Sequence, residues 1–180
     1  MISHILVAID QSTTSYQAFA TALDMAQDLG AELTLVHALD VFDTTSPERP
    51  QMVVNAYSIE LDRLLRESYE RQWVEFVDRY ESLLKQKQAE AKAVNVAAKY
   101  QQPYGRPGPA ICQTAREVQA DLIVVGSHGR KGLSEMILGS VSNYIMHHAP
   151  CSVMVIHPNS PHHHTPPSKA AEASPVKLGR

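Results

Sequence analysis

The stretch ADLIVVGSHGRKGLSEMILGSVSNYIMHHAPCSVMVI, residues 120–156, decides the fold class. Leu122–Val125 is a short, continuous apolar run, the signature of a strand buried on both faces. A glycine-containing loop follows from Gly126 to Leu138. A helix is predicted from about Gly139 to His148, and SVMVI, residues 152–156, reads as a closing strand. Strand, helix and strand in this order, with both strands apolar throughout, point to an α/β protein with a parallel sheet.

The same grammar continues toward the N-terminus. Ile5–Ile9 is a first apolar strand, ended by Asp10. Ser12 and Thr13 are N-cap candidates for a helix carrying Ala18, Phe19, Ala22, Ala26 and Leu29 at helical spacing, with Gly30 as its stop. Leu33–Leu39 is a second strand, which completes a βαβ unit with a right-handed crossover. Residues 40–55 are rich in Pro, Thr, Ser and Asp and read as a loop. Next, Leu61, Leu65, Tyr69, Trp73, Phe76, Tyr80 and Leu84 recur every three or four residues across a helical pattern spanning about 56–90. Such a stripe is a packing face rather than a cofactor box. Its length, roughly 30 residues, exceeds an ordinary globular helix, so part of it should project or break and offer a partner surface. Val94–Ala98 reads as a third strand, QQPYGRPGP (101–109) as turn chemistry, and Pro109 as part of the first turn of a helix bearing Ile111, Ala115 and Val118.

Beyond His157 the composition shifts to Pro, Ser and His with almost no large apolar side chain. Residues 158–180 are therefore expected to be a disordered tail appended to one domain, 1–157. Its triple histidine, His162–His164, reads either as a solvated tract or as a place to catch a transition metal.

The 180 residues suit one domain with a sizeable core. The formal net charge of −3 argues against a general nucleic-acid binder. The N-terminus MISHILVAID carries no signal-peptide pattern, and no apolar run approaches the roughly 20 residues that span a bilayer, so a cytoplasmic location is expected. Cys112 and Cys151 form no CxxC pair and read as two small buried thiols, with a bridge between them as the alternative.

The chemistry concentrates in the glycine loop. It leaves the carboxyl end of a strand and opens a helix, the place where open parallel sheets bind ligands. Glycines let backbone amides approach an anion, and the free N–H groups and positive dipole end at Gly139 and Ser140 favour phosphate. The hydroxyls of Ser140 and Ser142 add donors there, and Arg130 and Lys131 add charge. His128 reads as a phosphate donor or an exposed loop residue, and Asp10 as a ligand contact, a helix cap or a strand-end carboxylate. The pattern GxxxxGK[ST] is absent, and Gly126, Gly129 and Gly132 are spaced three apart, so neither a P-loop nor a dinucleotide fingerprint is present.

Gly126, two residues, Gly129, nine residues, Gly139 and Ser140 resemble the motif of the ATP-binding branch of the universal stress protein family. HILVAIDQS, LVHALD, ADLIVVGSHGRKGL and APCSVMVIH resemble that family's opening strand, second strand, fourth strand with its loop, and closing strand. The resemblance implies a Rossmann-like, doubly wound five-stranded parallel sheet ordered 3-2-1-4-5 with helices on both faces. It implies an adenine pocket lined by Ala8, Ile9, Ala38 and Val125. It implies phosphates held by Gly126, Gly129, Gly139, Ser140, Val141 and Ser142, and Asp10 on the ribose or on a Mg²⁺ carried by the nucleotide. It also implies a homodimer built through the last strand, on which Val153 and Val155 alternate. The middle of the chain departs from the family, because residues 40–90 are longer than a minimal member needs.

No water-positioning residue for ATP hydrolysis and no serine–histidine–acid arrangement stands out. The expected activity is adenine-nucleotide binding by a regulatory, partner-binding module of the stress response, with at most weak ATPase activity. A slow ATPase or nucleotidyl-transfer enzyme and a nucleotide-free scaffold are the alternatives. DQSTTS, residues 10–15, lacks the glycines of the loop that related folds use to cut ATP between its α and β phosphates.

Overall fold

The computed structural model describes residues 1–50, 59–127 and 138–158. Its elements run β1 (His4–Ala8), α1 (Thr13–Leu29), β2 (Glu32–Val36), α2 (Ile59–Ala93), β3 (Ala98–Gln101), α3 (Pro107–Glu117), β4 (Leu122–Gly126), α4 (Ser140–His148) and β5 (Ser152–Ile156). The five strands form one parallel sheet in the order β3-β2-β1-β4-β5, as expected.

The period-two alternation of each strand sorts the core into two layers. Ile5 and Val7 of β1, with Leu33, Leu35, Leu122 and Val124, face α1 and the C-terminal part of α2, where Phe19, Ala22 and Leu84 pack on them. Leu6, Val36, Ile123 and Val125 face the other way, onto Ile111, Cys112 and Ala115 of α3 and Ile145 of α4. Both faces are covered over the central strands β1 and β4, which carry unbroken apolar runs.

Local chemistry sets the element ends. The Ser12 hydroxyl caps α1 by accepting from the Ser15 amide at 3.2 Å, and Gly30 closes the helix in the left-handed region at φ 66°. Pro107 opens α3, which puts Pro109 in its first turn. Gly126 serves packing as well as the loop. A Cβ there would stand 2.6 Å from Thr14 Oγ1 and 2.9 Å from the Thr14 carbonyl carbon, so its bare backbone lets α1 lie against the end of β4.

The strand bounds need correction, with β2 ending at Val36 rather than Leu39, and the long helix resolves between its two alternatives. The third strand is Ala98–Gln101 rather than Val94–Ala98. Asn95, at φ 62°, turns the chain out of α2, and Val96 is spent on the core before the strand begins. As an edge strand, β3 alternates buried and exposed residues instead of running apolar. The long helix does not break: α2 runs unbroken through 35 residues, about 50 Å. Only Phe76, Tyr80, Leu84, Lys87 and Ala91 are buried on it. The predicted stripe therefore covers the core from Phe76 onward, while Leu61 and Leu65 at its other end are exposed. No helix among the described residues is long and apolar enough to cross a membrane.

The tail with His162–His164, and His128, Gly129, Arg130 and Lys131 of the glycine loop, lie outside the described residues. Cys112 is buried and Cys151 half-buried, both as free thiols.

Candidate functional site

The sheet order puts β1 beside β4 while their connections leave to opposite faces, and a crevice opens at the carboxyl ends of the two strands. It holds a cavity of about 390 Å³. Ala8, Ile9 and Asp10 from the end of β1, Val36, His37 and Ala38 from the end of β2, and Val125 and Gly126 from β4 line it, with Gly139, Ser140, Val141 and Ser142 at the start of α4. All ten predicted site residues that fall within the described residues thus line one cavity. Pro107 and Ile111 of α3, and Asp43 and Thr44 of the loop after β2, complete its walls.

One end of the cavity is apolar, with Ile9, Ala38 and Val125 almost fully buried. The two backbone groups of one residue, Ala38, give this end its polarity. The His37 amide donates to Gln101 O at 3.2 Å and the Leu39 amide to Pro103 O at 2.8 Å, both on the β3 side. By strand alternation the N–H and C=O of Ala38 face the opposite way, toward β1. There β1 has already ended, its last bond being Ile9 N–H to Val36 O at 2.8 Å. Neither group of Ala38 has a partner among the described residues. An unsatisfied donor and acceptor side by side in an apolar pocket cost free energy unless a ligand or water meets them.

Asp10 is held in a fixed pose at the opposite wall. Its Oδ1 accepts from the Ser12 amide at 2.8 Å and from the Ser12 hydroxyl, and its own amide donates to Ser15 Oγ at 2.8 Å. Ser15 Oγ in turn donates to Ala8 O. Asp10 is therefore not the helix cap, which is Ser12; it holds that cap in place and keeps Oδ2 without a partner among the described residues.

The third wall is the amino end of α4. Ser127 O accepts from the Gly139 amide at 2.7 Å and from the Ser142 hydroxyl at 3.0 Å, which fastens the start of α4 to the end of β4. The Ser142 hydroxyl also points to Gly139 O at 3.0 Å, so its one proton is shared between two carbonyls. This differs from the expectation that it donates to an anion; what Ser142 offers is its amide. Gly139 caps α4 without a side chain, and the amides of Ser140, Val141 and Ser142 have no partner among the described residues. Three N–H groups at the positive end of the helix dipole face the cavity.

The charge pattern limits what can bind. Asp10 and Asp43 both line the cavity, and no described lining residue is a lysine or arginine. Among the described residues no group of three or more His, Cys, Asp or Glu side chains is placed to hold a metal alone. A single poised carboxylate does fit Mg²⁺ that arrives with phosphate oxygens as its remaining ligands.

Sequence reasoning missed His37, Ser12, Ser15 and Ile111 as site residues. His37 is buried, its Nδ1 donates to Ile9 O at 2.8 Å, and its ring stacks on Tyr80 of α2 with centroids 3.6 Å apart. A lone polar ring inside the apolar run LTLVHAL was the available signal. Ile111 carried no signal beyond its helical spacing.

A sequence model described as the universal stress protein family matches residues 1–157. The universal stress protein Sll1388 of Synechocystis is 32% identical over 152 residues, 84% of this chain and 96% of that protein. The solved structure of the universal stress protein UspA from Lactobacillus plantarum has a TM-score of 0.65 at 27% identity, over 86% of this chain and 97% of that one. The same fold occurs in a family protein from Arabidopsis thaliana with AMP bound (TM-score 0.56, 22% identity, 88% and 93% covered) and in a universal stress protein in complex with cAMP (0.59, 21%, 87% and 98%). The match across 1–157, carried by the strand order and by near-full-length likeness to such proteins, means that this chain belongs to the universal stress protein family.

Proposed function

We propose that this protein binds an adenine nucleotide, ATP with Mg²⁺ in the first instance, and acts as a nucleotide-dependent regulatory module rather than as an efficient enzyme. The observation that carries the reading is the unpaired N–H and C=O of Ala38 in an apolar pocket. Adenine presents an acceptor at N1 beside a donor at N6, which complements that pair, while its ring faces suit Ala8, Ile9, Val36, Ile111 and Val125. The ribose then falls toward Asp10, and the phosphates toward the amides of Ser140, Val141 and Ser142. Asp10 would hold a Mg²⁺ that arrives with the phosphates, which would offset the charge of Asp10 and Asp43, with Arg130, Lys131, His128 and Gly129 of the glycine loop as further phosphate contacts. The AMP and cAMP held by the Arabidopsis protein and by the second family structure support an adenine nucleotide as ligand class.

Turnover is not favoured, because Asp10 already uses Oδ1 to hold the amide and hydroxyl of Ser12. The regulatory role follows from the exposed half of α2, a surface whose state nucleotide binding is suited to alter. The proposed dimer uses β5, the sheet edge. Ile156 O points at β4, so the amides of residues 153 and 155 point outward by alternation. Val153→Pro removes one outward N–H and no β4 bond; it should yield a folded monomer in analytical ultracentrifugation, and an unchanged dimer would exclude the β5 interface.

The test of nucleotide binding is a thermal shift with Mg-ATP on the parent and on Gly139→Val, which crowds the helix start with a branched side chain. The parent should be stabilised and the variant should not. No shift of the parent at millimolar Mg-ATP would refute the proposal.

A further inference from the structure

The rear wall of the cavity is a ring that belongs to two systems at once. His37 lines the cavity, and the same imidazole lies flat on Tyr80 of α2, 3.6 Å between centroids and 7° between planes. From Tyr80 the contact passes edge-on to Phe76 at 5.2 Å, from Phe76 to Trp73 at 5.3 Å, and from Trp73 to Tyr69 at 6.3 Å. This aromatic ladder climbs α2 from its buried part to its exposed part: Tyr80 and Phe76 are essentially inaccessible, while Leu64 and Leu61 beyond Tyr69 are half exposed. A second contact runs in parallel, since Thr44 lines the nucleotide cavity and its neighbours Thr45 and Ser46 share a shallow cavity with Phe76 and Arg79.

Among the described residues, the outer half of α2 also carries the stack of Trp73 on Tyr104, 6.4 Å between centroids, and ion pairs within the helix. Its ion pairs, Arg63 with Glu60 and Glu67 and Arg66 with Asp62, are solvent-exposed and lie within the helix. Such pairs contribute little, and no residue before Phe76 is buried on this helix. How far order extends along it depends on where the last packed ring clamps it to the domain.

We infer that base occupancy of the nucleotide cavity is transmitted through the His37–Tyr80–Phe76–Trp73 ladder to the outer half of α2. This inference rests on the adenine-nucleotide reading of the cavity. A base packed against the β2 end restrains the His37 ring, the His37–Tyr80 stack is held tighter, and the clamp on α2 moves outward past Phe76. For this to happen the nucleotide must bind the clamped state more tightly than the loose one. His37 and Tyr80 are then positioning residues for a distant surface, and the surface they control is residues 59–73.

Trp73 is the only tryptophan of the chain and does not line the nucleotide cavity, so its fluorescence reports on the ladder and not on ligand contact. The experiment is a titration of the full chain with Mg-ATP and with Mg²⁺ alone, followed by Trp73 emission, by hydrogen exchange and by calorimetry. Tyr80→Phe preserves the stack and Tyr80→Leu removes it; Phe76→Leu replaces the latter if it does not fold. In the parent and in Tyr80→Phe, ATP should shift Trp73 emission and slow exchange of amides in residues 61–72. In Tyr80→Leu, ATP should still bind within about threefold of the parent affinity, with both responses lost. Calorimetric binding with neither response in the parent, or full responses in Tyr80→Leu, would overturn the ladder while leaving nucleotide binding intact. No calorimetric binding to the parent would overturn both.

Discussion

Gly126→Ala isolates one close approach on which both fold and site depend. Gly126 lies outside the left-handed region, so alanine adds no backbone strain there. The added Cβ would sit 2.6 Å from Thr14 Oγ1, 2.8 Å from Thr14 Cβ and 2.9 Å from the Thr14 carbonyl carbon, all closer than the 3.0 Å that real Cβ atoms essentially never breach. Rotating the Thr14 side chain relieves only the first contact, so the amino end of α1 must draw back by about half an ångström in a close-packed layer. Overpacking of this kind costs roughly 1–3 kcal/mol, and the backbone contact places it in the upper half of that range. For a domain of this size that is a fall in Tm of about 4–12 °C. The same displacement moves Ser12 and Ser15, which fix Asp10, so ATP binding should weaken as well. Thermal or urea unfolding of Gly126→Ala, Thr14→Gly and the double variant is the assay. The double variant should be more stable than the sum of the two single effects by about 1 kcal/mol or more, because one substitution vacates the space the other fills. Gly126→Ala within about 0.5 kcal/mol of the parent, or strict additivity of the pair, would refute the reasoning.

Lys87 is buried between α1 and α2, paired with Glu90 at 2.8 Å and lying 4.8 Å over the Phe19 ring. Lys87→Ala should cost about 2–3 kcal/mol in urea unfolding through lost packing, whereas Lys87→Met should stay within about 1 kcal/mol. Equal losses would place the stabilisation in the charge rather than in the stem. Asp121 ties β1 to β4: its Oδ2 accepts from the Ser3 amide at 2.7 Å, the Ser3 hydroxyl and the His4 amide, which lower its pKa. A lowered folded-state pKa means that its stabilisation is present above the unfolded carboxylate pKa, about 3.9, and is lost as pH falls through the folded value. Acid unfolding of Asp121→Asn should therefore lack the part of the pH dependence that the parent shows below about pH 4; superimposable slopes would contradict this. Burial raises the pKa of both thiols, with Arg116 partly offsetting it at Cys112. Thiol labelling at mildly alkaline pH should be far slower in the native chain than in urea, with half-buried Cys151 reacting before Cys112; native Cys112 labelling at the unfolded rate would contradict the packing described.

The parts of the fold that were legible in the sequence are those where one physical cause acts alone. β1 and β4 are buried on both faces and β5 keeps an apolar run although it is a half-buried edge, and these runs mark all three within a residue. Edge strand β3 was misplaced because only one of its faces is covered: the run AVNVAA looked more like a buried strand than AKYQ did, and the turn at Asn95 left no signal strong enough to outweigh it. The helical stripe of α2 was legible, but where it leaves the core depends on how far the sheet extends beneath it, which no local pattern encodes. At the site, glycine spacing pointed to the crevice. The glycine loop's own Gly126, however, is explained by Thr14, a contact between residues far apart in sequence. The sequence points to the Ser142 hydroxyl as an anion donor, yet that hydroxyl fastens α4 to Ser127 and the amide is the group left over. The donor and acceptor of Ala38 are backbone groups freed by the early end of β1, so no side-chain motif announces them.

The most direct measurement is a titration of isotope-labelled protein with AMP, followed residue by residue in backbone amide NMR, with GMP as the comparison. AMP should saturate the amide of Ala38 with a downfield shift, as expected for a new hydrogen bond to the base, together with shifts of Ser140, Val141 and Ser142 at the same affinity. GMP should leave Ala38 in place at matched concentrations. An Ala38 amide that is unmoved while AMP binds, or that moves equally for both nucleotides, would contradict recognition of adenine by that backbone pair.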